Sequence, residues 1–235
     1  MTLPPGFFTV HHDMPREGPG EPADVAWAAR VAGTPKDARI LDVACGPGGD
    51  IAALRDAAPK GTITAIDGHG PFIETLTSRF PDAPWLTARK GSMLEVEGPY
   101  DLIWCAGAVY FKGIETSLST WRLALAPGGA VAFSEPCYFT DTPSSAARAF
   151  WSGYDAPTAD GIAASIRAAG YEPLDSKRVS DDAWRAYYDP LLARSDALEG
   201  DPDLAKAIAE TRKEAADWEA LREETGYLLT VARPR

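Results

Sequence analysis

Residues Ile40–Leu54 read ILDVACGPGGDIAAL: an apolar run of strand character, a knot of glycines, then a run of helical character. A strand–loop–helix junction turns backbone N–H groups toward a ligand, and glycine lets that ligand approach closely. The dinucleotide fingerprint G-x-G-x-x-G is met at Gly46 and Gly48, but Ile51 stands where its third glycine belongs. Ala44 also occupies a place where a further glycine is expected. As a dinucleotide site the match is poor, and the loop alone leaves its ligand open.

The order of the surrounding elements says more. Ala38–Val43 reads as a strand and Asp50–Ala58 as a helix; Thr62–Ile66 is a β-branched strand ending on Asp67, and Phe72–Arg79 has helical spacing. Trp85–Ala88 is a weaker strand, Tyr100–Ala106 a strong one, Ile114–Leu125 a helix stopped by Pro127-Gly128-Gly129, and Ala130–Ser134 a fifth strand. Strand and helix in alternation with short loops means βαβ units and a mostly parallel sheet. Right-handed crossovers then give a doubly wound α/β fold whose ligands sit outside the carboxyl ends of the strands.

Beyond residue 140 the pattern changes: Ala159–Gly170 is a helix, Tyr171–Val179 a strand, Asp181–Arg194 and Asp203–Glu224 long charged helices, and Tyr227–Ala232 a strong strand. Before the first sheet strand a helix is expected at Asp24–Ala32. The reading is one domain, with an N-terminal flap and helix over 1–36, a cofactor-binding core over 37–136, substrate-side insertions over 137–225 and a terminal strand over 226–235.

The bulk numbers bound the function. A chain of 235 residues with 45% hydrophobic and 24% charged residues can bury a sizeable core. A net charge of −11 and the lack of a basic stripe argue against nucleic acid as partner. No apolar run is long enough for a membrane span, and the N-terminus has no signal-peptide pattern, so cytoplasm is the expected compartment. Cys45, Cys105 and Cys137 show no metal or disulfide spacing, and no metal is expected.

Asp67, about twenty residues beyond the glycines, is placed to bind ribose hydroxyls, or simply to cap the helix that begins near Pro71. Three further stretches bear on the choice: GSM at Gly91–Met93, YDLIWCAGAVYF at Tyr100–Phe111 and LAPGGAVAFSE at Leu125–Glu135. With LDVACGPGG, in this order and spacing over residues 38–136, they resemble the class I S-adenosylmethionine-dependent methyltransferases. HHDMPREGPG, GAVYF and the C-terminal YYDP…GYLLTVARP resemble one bacterial small-molecule branch of that family, with an R-x-GPG segment.

The resemblance implies a Rossmann-like seven-stranded sheet with the last strand antiparallel, helical cap additions, and methyl transfer to an O, N or C atom of a small molecule. By the same resemblance Asp42, Ala44, Cys45, Gly46 and Gly48 line the methionine part of S-adenosyl-L-methionine, and Asp67 with Gly68 meets the ribose. Ser92 and Met93 border the adenine, with Ser92 standing where many relatives have Asp; Ala106 and Gly107 face the sulfonium. Arg16 and Gly18 belong to a stiffened loop able to clamp the cofactor carboxylate.

For a base, needed only if the acceptor arrives protonated, Tyr110 and Glu135 stand first and His12 second. Aromatic residues at 138, 139, 150, 151, 154, 184, 187 and 188 either wall an apolar or amine acceptor or fasten the added helices. Homodimerisation stays open. Two other readings stand beside this one: a catalytically silent cofactor-binding partner of the same fold, and a nucleotide-dependent oxidoreductase. Titration separates the last: S-adenosylhomocysteine is expected to raise the melting temperature and NADH to leave it unchanged; the reverse result overturns the methyltransferase reading.

Overall fold

The computed structural model describes residues 6–235, so the first five residues of the expected flap lie outside the described residues. Five strands, β1 (Arg39–Val43), β2 (Thr62–Asp67), β3 (Leu86–Lys90), β4 (Tyr100–Cys105) and β5 (Leu125–Tyr138), pair in parallel. With β6 (Tyr171–Arg178) and β7 (Thr225–Pro234) they form one sheet in the order β3-β2-β1-β4-β5-β7-β6. β7 runs antiparallel to both of its neighbours, so six strands share one direction and only β7 opposes them. The expected doubly wound sheet is thus present. Its strand order reverses between β1 and β4, which makes the carboxyl ends of these two strands the crevice for a ligand.

The helices are α1 (Phe7–Val10), α2 (Pro22–Ala32), α3 (Ile51–Ala57), α4 (Gly70–Arg79), α5 (Ile114–Trp121), α6 (Ser145–Phe150), α7 (Ala159–Ala168), α8 (Asp181–Ala197) and α9 (Ala205–Leu221). None of the described helices is long and apolar enough to cross a membrane. Local chemistry sets their ends. Pro22 opens α2 behind a Glu21–Asp24 capping box, and Ser144, Thr158 and Ser180 cap α6, α7 and α8 through their side-chain oxygens.

Sheet residues alternate between two apolar layers. Ile40, Leu102, Trp104 and Ala132 face one layer, where α2, α3 and α8 pack; Leu41, Ile103, Val131 and Phe133 face the other, beneath α5 and α7. In β1 every residue after Arg39 is buried, as befits a central parallel strand covered on both faces.

Strand β5 departs most from the sequence expectation of Ala130–Ser134. Pro127-Gly128-Gly129 reads as a turn, but the strand passes through it by a register shift against β4 between Tyr100 and Leu102, with Gly128 at φ 79°. A bulge is one of the few places a sheet tolerates proline. At its far end β5 continues to Tyr138 because β7 pairs with it from Val131 to Tyr138. That extension carries Glu135 deep into the sheet.

Trp121 ties this framework to the ligand crevice. It is fully buried at the end of α5, and its indole N–H donates to the Met93 carbonyl at 2.7 Å, holding the loop after β3. Trp121→Ala is expected to lower stability by about 3–5 kcal/mol through cavity formation, read from denaturant unfolding. A change under about 1 kcal/mol would show the site to be less tightly packed than described.

Candidate active site

After β1 the chain turns through Ala44, Gly46 and Gly48, all at positive φ (56°, 53° and 85°). Ala44 takes this left-handed turn at a cost of about 1 kcal/mol relative to glycine. Gly48 has no such latitude, since a Cβ there would lie 2.9 Å from Leu76. Ile51, the residue that breaks the dinucleotide fingerprint, is fully buried as the first residue of α3.

Asp67 sits at the end of β2 opposite this loop. One carboxylate oxygen accepts the Gly46 N–H at 2.9 Å and the other the His69 N–H at 2.7 Å. It does not cap α4, whose N-cap is His69 with no side-chain capping bond. Each Asp67 oxygen retains acceptor capacity, and the neighbouring Gly68 is exposed, with open space where a Cβ would project. Asp42, nearly buried at the end of β1, is pushed well above the usual carboxylate range by burial, then by the charges of Asp50 and Asp67, with Arg16 opposing.

The flap is pinned to this loop. Arg16 donates to Asp50 at 2.6 Å, and the second oxygen of Asp50 accepts the Trp104 indole N–H at 2.9 Å. The glycines explain part of the R-x-GPG pattern: a Cβ on Gly20 would meet the Arg16 guanidinium at 2.9 Å, and one on Gly49 would meet the Arg16 Cβ at 2.9 Å. Gly18 has open space around it. The guanidinium expected to clamp a cofactor carboxylate is therefore engaged with Asp50, with its Nε buried and without a partner. Glu17 lies over the loop, its Cγ 3.5 Å from where a Gly46 Cβ would stand. One Glu17 oxygen is bonded to His11 Nδ1 at 2.7 Å and the other is buried with no partner.

His12 falls outside the site: its side chain is 68% exposed and pairs with Asp13 at 2.9 Å. His11 is the flap histidine turned inward, 4% exposed and stacked on Phe7. The pair His11-His12 alone does not show which of its two rings faces inward.

At the far end of the crevice Ser92 accepts the Leu94 N–H, and Met93 packs half-buried against the layer beneath α5. Ala106 is half-buried, and Gly107, at φ 69°, donates its N–H to Ser134 Oγ at 2.7 Å. A Cβ on Gly107 would stand 3.2 Å from the Tyr227 ring. Cys45, Cys105 and Cys137 are separately buried, and burial pushes each thiol up.

Beyond Gly107, Tyr110 and Glu135 come together with residues from the added segments. Glu135 is fully buried; desolvation raises its carboxyl from 4.5 to about 7, against a hydrogen bond from the Tyr154 hydroxyl to Oε1 that lowers it. Glu135 Oε2 is buried with no partner. The half-buried Tyr110 has its phenol pushed up to about 12 by burial and by the Glu214 and Glu135 carboxylates, with a hydrogen bond to Tyr227 opposing. Its ring centroid lies 5.8 Å from that of Tyr154.

The larger aromatic residues divide by role. Trp184 stacks on Trp218 at 5.4 Å, and Trp151 stacks on Tyr227 while donating to Thr225 Oγ1, which fastens the cap to the sheet.

A methyltransferase domain model matches residues 40–129. Over 221 residues the chain is 30% identical to a trans-aconitate 2-methyltransferase of Streptomyces avermitilis, covering 88% of this chain and 82% of that one. The chain belongs to the class I methyltransferases. A second relative of the same name from Paracidovorax citrulli is 28% identical over 173 residues, 68% of this chain and 64% of its own. A methyltransferase of Geobacter sulfurreducens, solved with S-adenosyl-L-homocysteine, superimposes over the whole of both chains with a TM-score of 0.84 at 22% identity.

The enzyme is an S-adenosylmethionine-dependent methyltransferase, and its residues fit that cofactor. Around the glycine loop stand an exposed backbone at Gly68, a carboxylate with spare acceptor capacity at Asp67 and an unpartnered Glu17 oxygen. If Asp67 meets the ribose, Asp67→Ala weakens S-adenosylhomocysteine binding about 10- to 100-fold, the scale of one charged hydrogen bond. Unchanged affinity by calorimetry would remove that role.

Proposed function

We propose that this methyltransferase acts on a nitrogen or oxygen atom of a small molecule, with Glu135 taking the acceptor proton. The supporting observation is the unpartnered Oε2 of a fully buried Glu135 whose other oxygen is held by Tyr154. A buried acceptor atom without a donor costs free energy, which an acceptor N–H or O–H relieves on binding. A carboxyl that titrates near 7 is also poised for general-base work at neutral pH.

When bound, S-adenosylmethionine supplies a methyl carbon activated by a positively charged sulfur. The chain supplies position and exclusion of water. In this reading Asp42, Ala44, Cys45, Gly46 and Gly48 border the methionine part, Arg16 and Gly18 hold the flap over it, and Asp67 and Gly68 take the ribose. Ser92 and Met93 border the adenine, and Ala106 and Gly107 leave room beside the reacting carbon. Tyr110 packs against the acceptor next to Glu135. The R-x-GPG segment supports membership of a small-molecule branch. The net charge of −11 supports an acceptor other than a phosphate polymer.

The two curated relatives are named for trans-aconitate, a tricarboxylate. Three carboxylates call for arginines and lysines. Among the described residues, no lysine or arginine is hydrogen-bonded or ion-paired to Glu135, Tyr110, Tyr154 or Tyr227. The small-molecule class carries over to this chain; the named acceptor stays that of the two relatives.

The pH dependence tests Glu135. Because its folded value is raised, its base form grows as pH rises through about 7, and kcat should rise with it; Glu135→Gln should abolish that limb while leaving S-adenosylhomocysteine affinity intact. Stability runs the opposite way. Between 4.5 and about 7 the folded state holds a proton that the unfolded chain has released, so stability falls as pH rises across this window. Glu135→Gln should flatten that fall in pH-dependent unfolding; an unaltered slope would place the titration elsewhere.

A further inference from the structure

Glu214 on α9 belongs to no motif, yet it is bonded to the aromatic cluster of the cap. Its Oε1 accepts the Tyr188 hydroxyl at 2.9 Å, and Tyr188 packs against Tyr187 with ring centroids 4.9 Å apart. Tyr187 in turn lies 6.4 Å from the His11 ring of the flap. Glu214 keeps part of its side chain in water, whereas Tyr187 and Tyr188 are buried. Enough protein surrounds it to hold its carboxyl above the ordinary range, with burial the main cause.

Two carboxylates thus hold opposite ends of one aromatic cluster. Glu135 accepts from Tyr154, whose ring lies 5.8 Å from Tyr110. Glu214 accepts from Tyr188, whose ring lies 5.8 Å from Trp184, itself 5.2 Å from Tyr227. Glu214 and Glu135 are the charged groups that raise the Tyr110 phenol, and Glu135 reaches it through Tyr154. Among the described residues His11 is the basic group acting on Glu214, and no lysine or arginine pairs with either carboxylate. Tyrosine rings and unneutralised carboxylates together form the surroundings that a small organic cation prefers. The independent sign of a missing ligand is again Glu135 Oε2, fully buried and without a donor.

We infer that the methyl acceptor is a small amine, with Glu214 as the anchor for its positive charge and Glu135 as the acceptor of its proton. The inference rests on the methyltransferase reading and names its substrate class. The ammonium form enters beside Glu214. One N–H proton passes to the Glu135 carboxylate, leaving a neutral nitrogen with its lone pair. That pair forms the new N–C bond as the S–CH3 bond breaks with its electrons returning to sulfur. The products are the N-methylated ammonium and the neutral thioether, and the proton on Glu135 returns to solvent.

The experiment uses the full chain, the methyl donor labelled in its methyl group, and a panel of primary and secondary amines beside tricarboxylates and phenols. Label is expected in an amine. For that amine Glu214→Gln should raise KM at least about tenfold with kcat changed less than about threefold, while S-adenosylhomocysteine affinity by calorimetry stays the same. Tyr188→Phe, which removes only the hydroxyl held by Glu214, should give a smaller rise in KM. Label confined to carboxylates or phenols, or a KM for the amine that Glu214→Gln leaves unchanged, overturns the inference while the methyltransferase reading stands. Failure of S-adenosylhomocysteine to bind the unaltered chain would instead overturn both.

Discussion

Asp50 holds three parts of the molecule at one point. Its carboxylate receives the Arg16 guanidinium from the flap and the Trp104 indole from β4, at the residue that opens α3 behind the glycine loop. The pair is largely removed from water, with the two side chains 12% and 10% exposed. A buried ion pair adds little to stability by itself, but losing one partner strands the other and costs about 3–5 kcal/mol. Flap, loop and central strand are therefore coupled. The flap closes over the crevice in one register, set by Gly20 and Gly49, which leave room for the arginine.

Around that anchor the crevice is rich in carboxylates. Asp42, Asp67 and Glu17 gather about the glycine loop, and Glu135 and Glu214 are bonded to the tyrosines of the cap. Burial holds Asp42, Glu135 and Glu214 above their ordinary range. Such a site is costly to ionise when empty and gains most from a positively charged occupant, which lowers those values again. A sulfonium donor meets that description at one end.

Much of the fold was legible in the sequence, because β1, β2 and β4 carry apolar runs and the glycine knot marks the switch point. Strand β5 was read short, since Pro127-Gly128-Gly129 has the chemistry of a turn and only its pairing with β4 and β7 shows it to be a bulged strand. Asp67 and Tyr110 lie at the end of β2 and just beyond β4, as their neighbours in sequence indicate, whereas Glu135, expected just past a short strand, lies inside the longer β5. Arg16 was marked as a clamp, but its bond to a residue 34 positions away is a tertiary fact that no local pattern carries. Glu214 was invisible for a different reason. In AKAIAETRKEAADWEAL it is one charge among many on a helix with a weak apolar stripe, and only the packing of α9 beside α8 turns it toward Tyr188.

Gly107 lies between the proposed donor side and the Tyr227 ring of the cap. The residues proposed for the donor come from the first half of the chain, whereas Tyr154, Tyr188, Glu214 and Tyr227 come from segments added around and after β5. This division of labour lets the acceptor preference drift through changes in α8 and α9 while the donor loops stay as they are. Gly107 is the exception: a Cβ there would stand 3.2 Å from the Tyr227 ring, so a single methyl group would press on it. At that position the two sides evolve together or not at all.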